Sequence, residues 1–224
     1  MPVLPVAARD PQPGLAGLHL YTDSSPNGFK ITIALEELGL PYTLHHVRIE
    51  QGEHREPAFL ALNPHGRIPV LVDETAGVTL FESAAILLYL AQRSGQLLPP
   101  DPQARWQAVQ WLMFHAASVG PILGQRVHFE CGEGKDQPAA ALRYRGLSEQ
   151  ALAVVDGALA SGGPYLGGEV YSIADIAHFG WLHIAAIVGF DFSSLPHLQA
   201  WFQRVAARPA VQRGIAIPAI ATGA

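Results

Sequence analysis

Short β-prone runs occupy only the first third of this chain, and none follows Arg93; that asymmetry limits the fold more than any other feature. Leu18-His19-Leu20-Tyr21-Thr22 alternates apolar with polar or amphipathic side chains, and the turn formers from Asp23 to Gly28 stop it. Ile31, Ala34, Leu35 and Leu38 then recur at helical spacing over 29–38, with Gly39 where a helix stop belongs. A second strand is expected over 43–49 and a short helix over 53–62. Ile68 to Val72 and Val78 to Phe81 read as a hairpin, and 83–93 as a helix. The order is β-α-β-α-β-β-α.

The Gly- and Pro-rich stretch SGQLLPPDP then marks a boundary, beyond which only helix-period segments appear. One covers 104–129, with Pro121 expected to bend or interrupt it. A second covers 138–159. A third opens at Ser172-Ile173-Ala174-Asp175, a capping box with Asp in the usual Glu or Gln position, a device contributing about 1 kcal/mol. A last helix over 195–208 is expected to end at Pro209. The resulting division is a flexible arm over 1–16, an α/β domain over 17–93, a linker over 94–103, an all-helical domain over 104–212 and a tail over 213–224.

With 224 residues, 49% of them hydrophobic and 15% charged, the chain can bury one large core or two small ones. Fourteen basic against nineteen acidic residues leave a net charge of −5, which argues against a nucleic-acid binder. The single cysteine, Cys131, cannot form an internal disulfide. No stretch approaches the roughly 20 apolar residues of a membrane span, and residues 1–17 lack the basic start and apolar centre of a secretory signal. A soluble cytoplasmic protein is expected. There is no His-Glu-x-x-His and no phosphate-cradling glycine loop, so no metal is expected.

The element order of the first third, with Ile68-Pro69 opening the third strand, resembles a thioredoxin-like module. Such modules often carry Cys-Pro-x-Cys after the first strand; here the tetrapeptide is Ser25-Pro26-Asn27-Gly28. A hydroxyl and a helix N-terminus remain, groups suited to holding a thiolate that belongs to another molecule.

From about residue 17 to residue 210 the chain resembles a cytosolic glutathione transferase, most closely the bacterial Nu class and the related fungal nitrogen regulator. The resemblance rests on Tyr21-Thr22 through Gly28, Lys30-Ile31-Thr32, Glu36-Glu37, Gly52-Glu53-His54-Arg55, Asn63-Pro64 with Arg67-Ile68-Pro69, and the run from Phe81 to Leu90. Gln110-Trp111, Gly120-Pro121, Gly124-Gln125, Arg143-Tyr144 and Tyr171 to Ala177 continue it through the helical half. It implies an α/β thioredoxin-like domain followed by an all-α domain, a homodimer, and glutathione as cofactor or co-substrate. The implied activity is conjugation of glutathione to a small hydrophobic electrophile or glutathione-dependent reduction of a disulfide. A non-catalytic regulator, a ligand-sequestering protein and a glutathione-dependent aryl-ether cleaving enzyme are the alternatives.

The resemblance also assigns residues. Ile68 would exchange backbone hydrogen bonds with the ligand's cysteine, ahead of a cis bond to Pro69. Glu82 would meet the γ-glutamyl ammonium and Ser83 its carboxylate, while His54 and Arg67 are candidates for the glycine carboxylate. Ser25 and Asn27 would stabilise the thiolate. A free thiol has a pKa near 8.5; lowering it by two units takes about 2.7 kcal/mol, which one or two hydrogen bonds to a charged acceptor supply. Tyr21 and Ser24 are rival donors. The Nu class more often has Thr where Ser25 stands. Arg143 either reaches into the partner subunit's thiol site or is a solvated helix arginine.

Overall fold

A computed structural model describes residues 17–219. The arm expected over 1–16 and the end of the tail lie outside the described residues. Strand β1 (Leu18–Thr22) buries Leu18, Leu20 and Thr22 and turns His19 and Tyr21, both half-buried, to the opposite face, as its alternation requires. It lies between parallel β2 (Thr43–His46) and antiparallel β3 (Val70–Asp73), with β4 (Val78–Phe81) at the edge, giving the order β2-β1-β3-β4.

Two parallel neighbours need a crossover, and helix α1 (Pro26–Leu38) supplies it. Ser25 caps it, Pro26 occupies its first turn, and Gly39 at φ 62° ends it in the left-handed conformation. Every residue from Gly28 to Leu35 is buried, because this helix lies between the sheet and the helical half.

Several boundaries moved for local reasons. β2 ends at His46, and Asp23 Oδ2 captures the Ile49 N–H at 2.9 Å, turning the chain into a 3-10 turn at Ile49–Gln51. The helix expected over 53–62 is a 3-10 turn at Glu53–Arg55 followed by a single-turn helix, α2 (Pro57–Leu60). Pro57 holds Glu56 extended at ψ 146° and so separates the two. β3 opens at Val70, two residues later than expected, after a cis Ile68–Pro69 bond. Helix α3 (Ser83–Ser94) follows β4 directly.

Beyond residue 94 the described residues contain no strand, only an isolated bridge between Tyr165 and Gly168. Helix α4 (Pro102–Phe114), capped by Asp101, runs through a π turn at His115–Val119 into α5 (Gly120–Cys131). The expected interruption at Pro121 takes this form. Pro121 has no N–H to donate and would crowd the carbonyl four residues back, and the wider turn just before it relieves both.

Helix α6 (Pro138–Gly162) runs three residues past its expected end. Ser172 and Asp175 form the expected capping box at the start of α7 (Ile173–Ile187). After α8 (Pro196–Ala206), Pro209 does not close the helical half but opens a further short helix, α9 (Pro209–Gly214). Proline's fixed φ suits a first helical position as well as a stop.

The two halves share one hydrophobic core that includes Leu20, Ile31, Leu35, Leu87, Phe179 and Trp201. Two glycines set how closely the halves approach. A Cβ on Gly180 would stand 2.4 Å from the Pro26 carbonyl oxygen, and one on Gly214 would stand 2.6 Å from the Ile33 Cα. Helices α7 and α9 therefore press backbone to backbone on α1. Arg208 adds a two-pronged ion pair to Glu37 of α1 at 2.6 and 2.8 Å, with its guanidinium over the Tyr171 ring.

Candidate active site

The loop after β1 is drawn tightly back on itself. A Cβ on Gly28 would lie 2.3 Å from the Asp23 carbonyl oxygen and 2.5 Å from Thr22 Oγ1, so only glycine fits where the helix begins. Asp23 accepts from the Ser24 and Ile49 N–H groups at 2.7 and 2.9 Å and pairs with His46 at 2.9 Å. Burial pushes its carboxyl up, but the Ile49 N–H, His46 and the Ser24 N–H outweigh burial and hold it below its usual value. Ser25 Oγ accepts the Gly28 N–H at 3.0 Å, which leaves its own proton free to donate.

A cleft of about 480 Å³ lies between the two halves. It brings together six of the residues expected from sequence: Asn27, Arg67, Ile68, Pro69, Glu82 and Ser83. Among the described residues, no backbone group pairs with the Ile68 N–H or C=O. Glu82 stands in the N-cap position of α3 with φ 71° and ψ 109°, a strained conformation for a side-chain-bearing residue, and makes no capping bond. The first amides of α3 are consequently left open to an anion.

The remaining candidates lie elsewhere. Ser25 and Ser24 are half-buried in the loop beside the cleft and do not line it. His54 also stays outside it: its backbone carbonyl packs on Gly66 and its Nδ1 is buried without a partner among the described residues. Tyr21 stacks on His45 at 4.2 Å beside Val47, Phe59 and Val70, and does not reach the cleft. Arg143 is exposed on α6. Cys131, at the end of α5, lines a separate hollow with Arg126 and Phe190.

The floor of the cleft holds groups to which sequence reasoning gave no role. Lys30 of α1 is only 3% exposed, and its Nζ donates to Asn27 Oδ1 at 2.8 Å and to Ser83 Oγ at 3.2 Å. Burial pulls its ammonium down to about 7, against an opposing pull from Glu82. From α7, Trp181 Nε1 donates to the same Asn27 oxygen at 3.2 Å. His115, in the π turn, is buried with neither ring nitrogen partnered among the described residues. Burial, reinforced by Lys30 and His178, holds it neutral at pH 7. A lysine between Phe29 and Ile31, the one charged side chain in the buried run Gly28–Leu35, was the signal available in the sequence.

Comparison with known proteins agrees with this architecture. The family model for the glutathione S-transferase N-terminal domain matches residues 24–93, and that for the C-terminal domain matches residues 110–209. The disulfide-bond oxidoreductase YfcG of Escherichia coli is 36% identical over 203 residues, covering 88% of this chain and 94% of that protein. A glutathione transferase from Burkholderia graminis, solved with two glutathione molecules per subunit, superposes with a TM-score of 0.85 at 39% identity, over 91% of this chain and 89% of that one. One from Pseudomonas putida, solved with a glutathione disulfide, gives 0.84 at 38% identity, over 93% and 94%. With both halves matched in order and a sheet, cis-proline and helical half arranged around one cleft, the chain belongs to the glutathione S-transferase family.

Proposed function

We propose that the protein binds glutathione in this cleft as a thiolate and uses it to reduce disulfides and to conjugate small hydrophobic electrophiles. The observation that carries this reading is the absence of a thiol from the cleft: the chain's single cysteine, Cys131, stands apart from it. The nucleophilic sulfur must therefore arrive with the ligand. In disulfide reduction, the glutathione thiolate attacks one sulfur of the disulfide, a new S–S bond forms and the other sulfur leaves as a thiolate. A second glutathione resolves the mixed disulfide, leaving glutathione disulfide and two reduced thiols. The disulfide-bond oxidoreductases among the relatives and the bound glutathione disulfide in the Pseudomonas putida protein support this chemistry.

Glu82 takes the γ-glutamyl ammonium, Ser83 and the open amides of α3 take its carboxylate, and the Ile68 backbone pairs with the cysteinyl residue. Arg67, exposed at the cleft, takes the glycine carboxylate, with His54 the alternative. The Ser25 hydroxyl and Asn27 stabilise the thiolate. The working unit is a cytoplasmic homodimer in which Arg143 reaches the partner's site. Trp106 and Leu142, each 71% exposed on α4 and α6, supply apolar surface for that contact.

The test is an assay of pure protein with glutathione against hydroxyethyl disulfide and chlorodinitrobenzene, beside Ser25→Ala, Asn27→Ala and Cys131→Ser. Wild type reduces the disulfide, at least one of the first two variants loses about tenfold or more, and Cys131→Ser is unaffected. Complete dependence on Cys131 overturns the reading.

A further inference from the structure

We propose that Lys30 and Trp181 are positioning residues that lock the Asn27 amide in one orientation, with its Nδ2 protons presented to the sulfur of the bound thiolate. This inference rests on the glutathione reading above. The Asn27 oxygen receives two donors, Lys30 Nζ at 2.8 Å and Trp181 Nε1 at 3.2 Å. An indole N–H can only donate, and a lysine nitrogen donates in either charge state, so the atom facing them must be the oxygen. The amide nitrogen is thereby committed to the other side. Among the described residues nothing accepts from it, and Asn27 lines the cleft. An amide free to rotate would present oxygen to the thiolate part of the time, which repels it. Held from two sides, it presents only donors.

The geometry of both halves is consistent with this role. Gly180 lets the α7 backbone press on Pro26, one residue from Asn27. Against the indole, a Cβ on Gly124 would lie 2.9 Å from the Trp181 ring and one on Gly120 would lie 3.3 Å from it. Glycine at both positions gives α5 room for the ring. Lys30 reaches Ser83 as well, so one ammonium ties the thiol end of the cleft to the helix start that meets the γ-glutamyl end. The helical half thus sets the direction of a donor that belongs to the other half.

The experiment titrates the ultraviolet thiolate absorbance of glutathione bound to wild type, Trp181→Phe, Lys30→Met, Asn27→Ala and the Trp181→Phe/Asn27→Ala double variant. Calorimetry measures glutathione affinity, and circular dichroism checks folding. Trp181→Phe and Lys30→Met should each raise the midpoint of the bound thiol by about 0.5 to 1 unit, the equivalent of one neutral hydrogen bond. Both should lower kcat near neutrality about threefold, and Trp181→Phe should leave the glutathione Kd within about twofold at about pH 5.5, where the thiol is bound protonated in either protein. In the Asn27→Ala background, Trp181→Phe should add nothing.

An unshifted midpoint in folded Trp181→Phe overturns the inference, whatever Lys30→Met does, because Lys30 would then act through its charge alone. An equal shift with and without Asn27 also overturns it. If Lys30→Met does not fold, the two Trp181→Phe proteins decide. Failure of wild type to bind glutathione at all would instead remove the functional reading itself, a distinct result seen by calorimetry before any titration.

Discussion

Replacing Asp175 should destabilise the protein well beyond the loss of a helix cap. Its carboxylate is fully buried and holds four donors: the Leu166 N–H at 2.9 Å and Trp201 Nε1 at 2.8 Å on one oxygen, the Ser172 N–H at 2.9 Å and Ser172 Oγ at 3.2 Å on the other. Asp175→Ala strands three buried N–H groups, each at about 1 to 3 kcal/mol, for a gross loss of about 3 to 9 kcal/mol. Some of that returns because a buried charge disappears. Burial outweighs the four donors and pushes this carboxyl above its usual value, so the native state carries a desolvation cost that alanine removes. We expect a net loss of about 4 kcal/mol for Asp175→Ala. Asp175→Asn keeps an oxygen for Leu166 and Trp201 but turns a donor toward Ser172, and should lose about 2 kcal/mol. Urea unfolding followed by far-ultraviolet circular dichroism measures both. A loss of about 1 kcal/mol or less in Asp175→Ala, with unchanged m, would show that only a cap was removed and refute the reasoning.

Glu82→Gln should weaken glutathione binding about tenfold by calorimetry while changing saturated turnover less than twofold. Glu82→Gly should weaken binding too, yet raise stability by about 1 kcal/mol, because glycine adopts φ 71° without strain. Lys30 titrates near 7 when folded and at 10.5 when unfolded, so between those values the unfolded chain holds a proton that the native state has released. Stability must then rise with pH across that window; Lys30→Met, studied by thermal melts without ligand, should lose that rise. Arg208→Ala should cost about 2 to 3 kcal/mol in urea unfolding and Arg208→Lys about 1, since lysine keeps the charge but not the two-pronged contact with Glu37.

What could be read from sequence followed the range of the interaction. The alternation in Leu18 to Thr22, the Gly39 stop and the Ser172-Asp175 box are local signals, and each marks its element in the structure. Of the candidate site, Glu82, Ser83, Arg67 and the Ile68-Pro69 pair were legible through matched motifs and meet in one cleft. Trp181 was not, because its role depends on an acceptor 154 positions earlier in the chain. Lys30 was visible as a charge between apolar neighbours, but its meaning required knowing that α7 would cover it. The capping box was legible as a cap worth about 1 kcal/mol; its further hold on Leu166 and Trp201 depends on packing between elements distant in sequence. The short helix expected over 53–62 is not continuous, because Pro57 holds Glu56 extended and divides it.

The π turn between α4 and α5 has a consequence for editing this chain. A π turn holds one residue more than the α turn it replaces, so it works as a phase shifter: everything after it is rotated about 100° relative to an unbroken helix. Removing a single residue within 115–119 would leave the segment free to close into ordinary helix without breaking the chain, but it would rotate the core residue Leu123 of α5 out of its packing. It would also turn the Gly120 and Gly124 face away from Trp181. A deletion of one residue there should therefore disturb the packing of α5 and the wall of the cleft together.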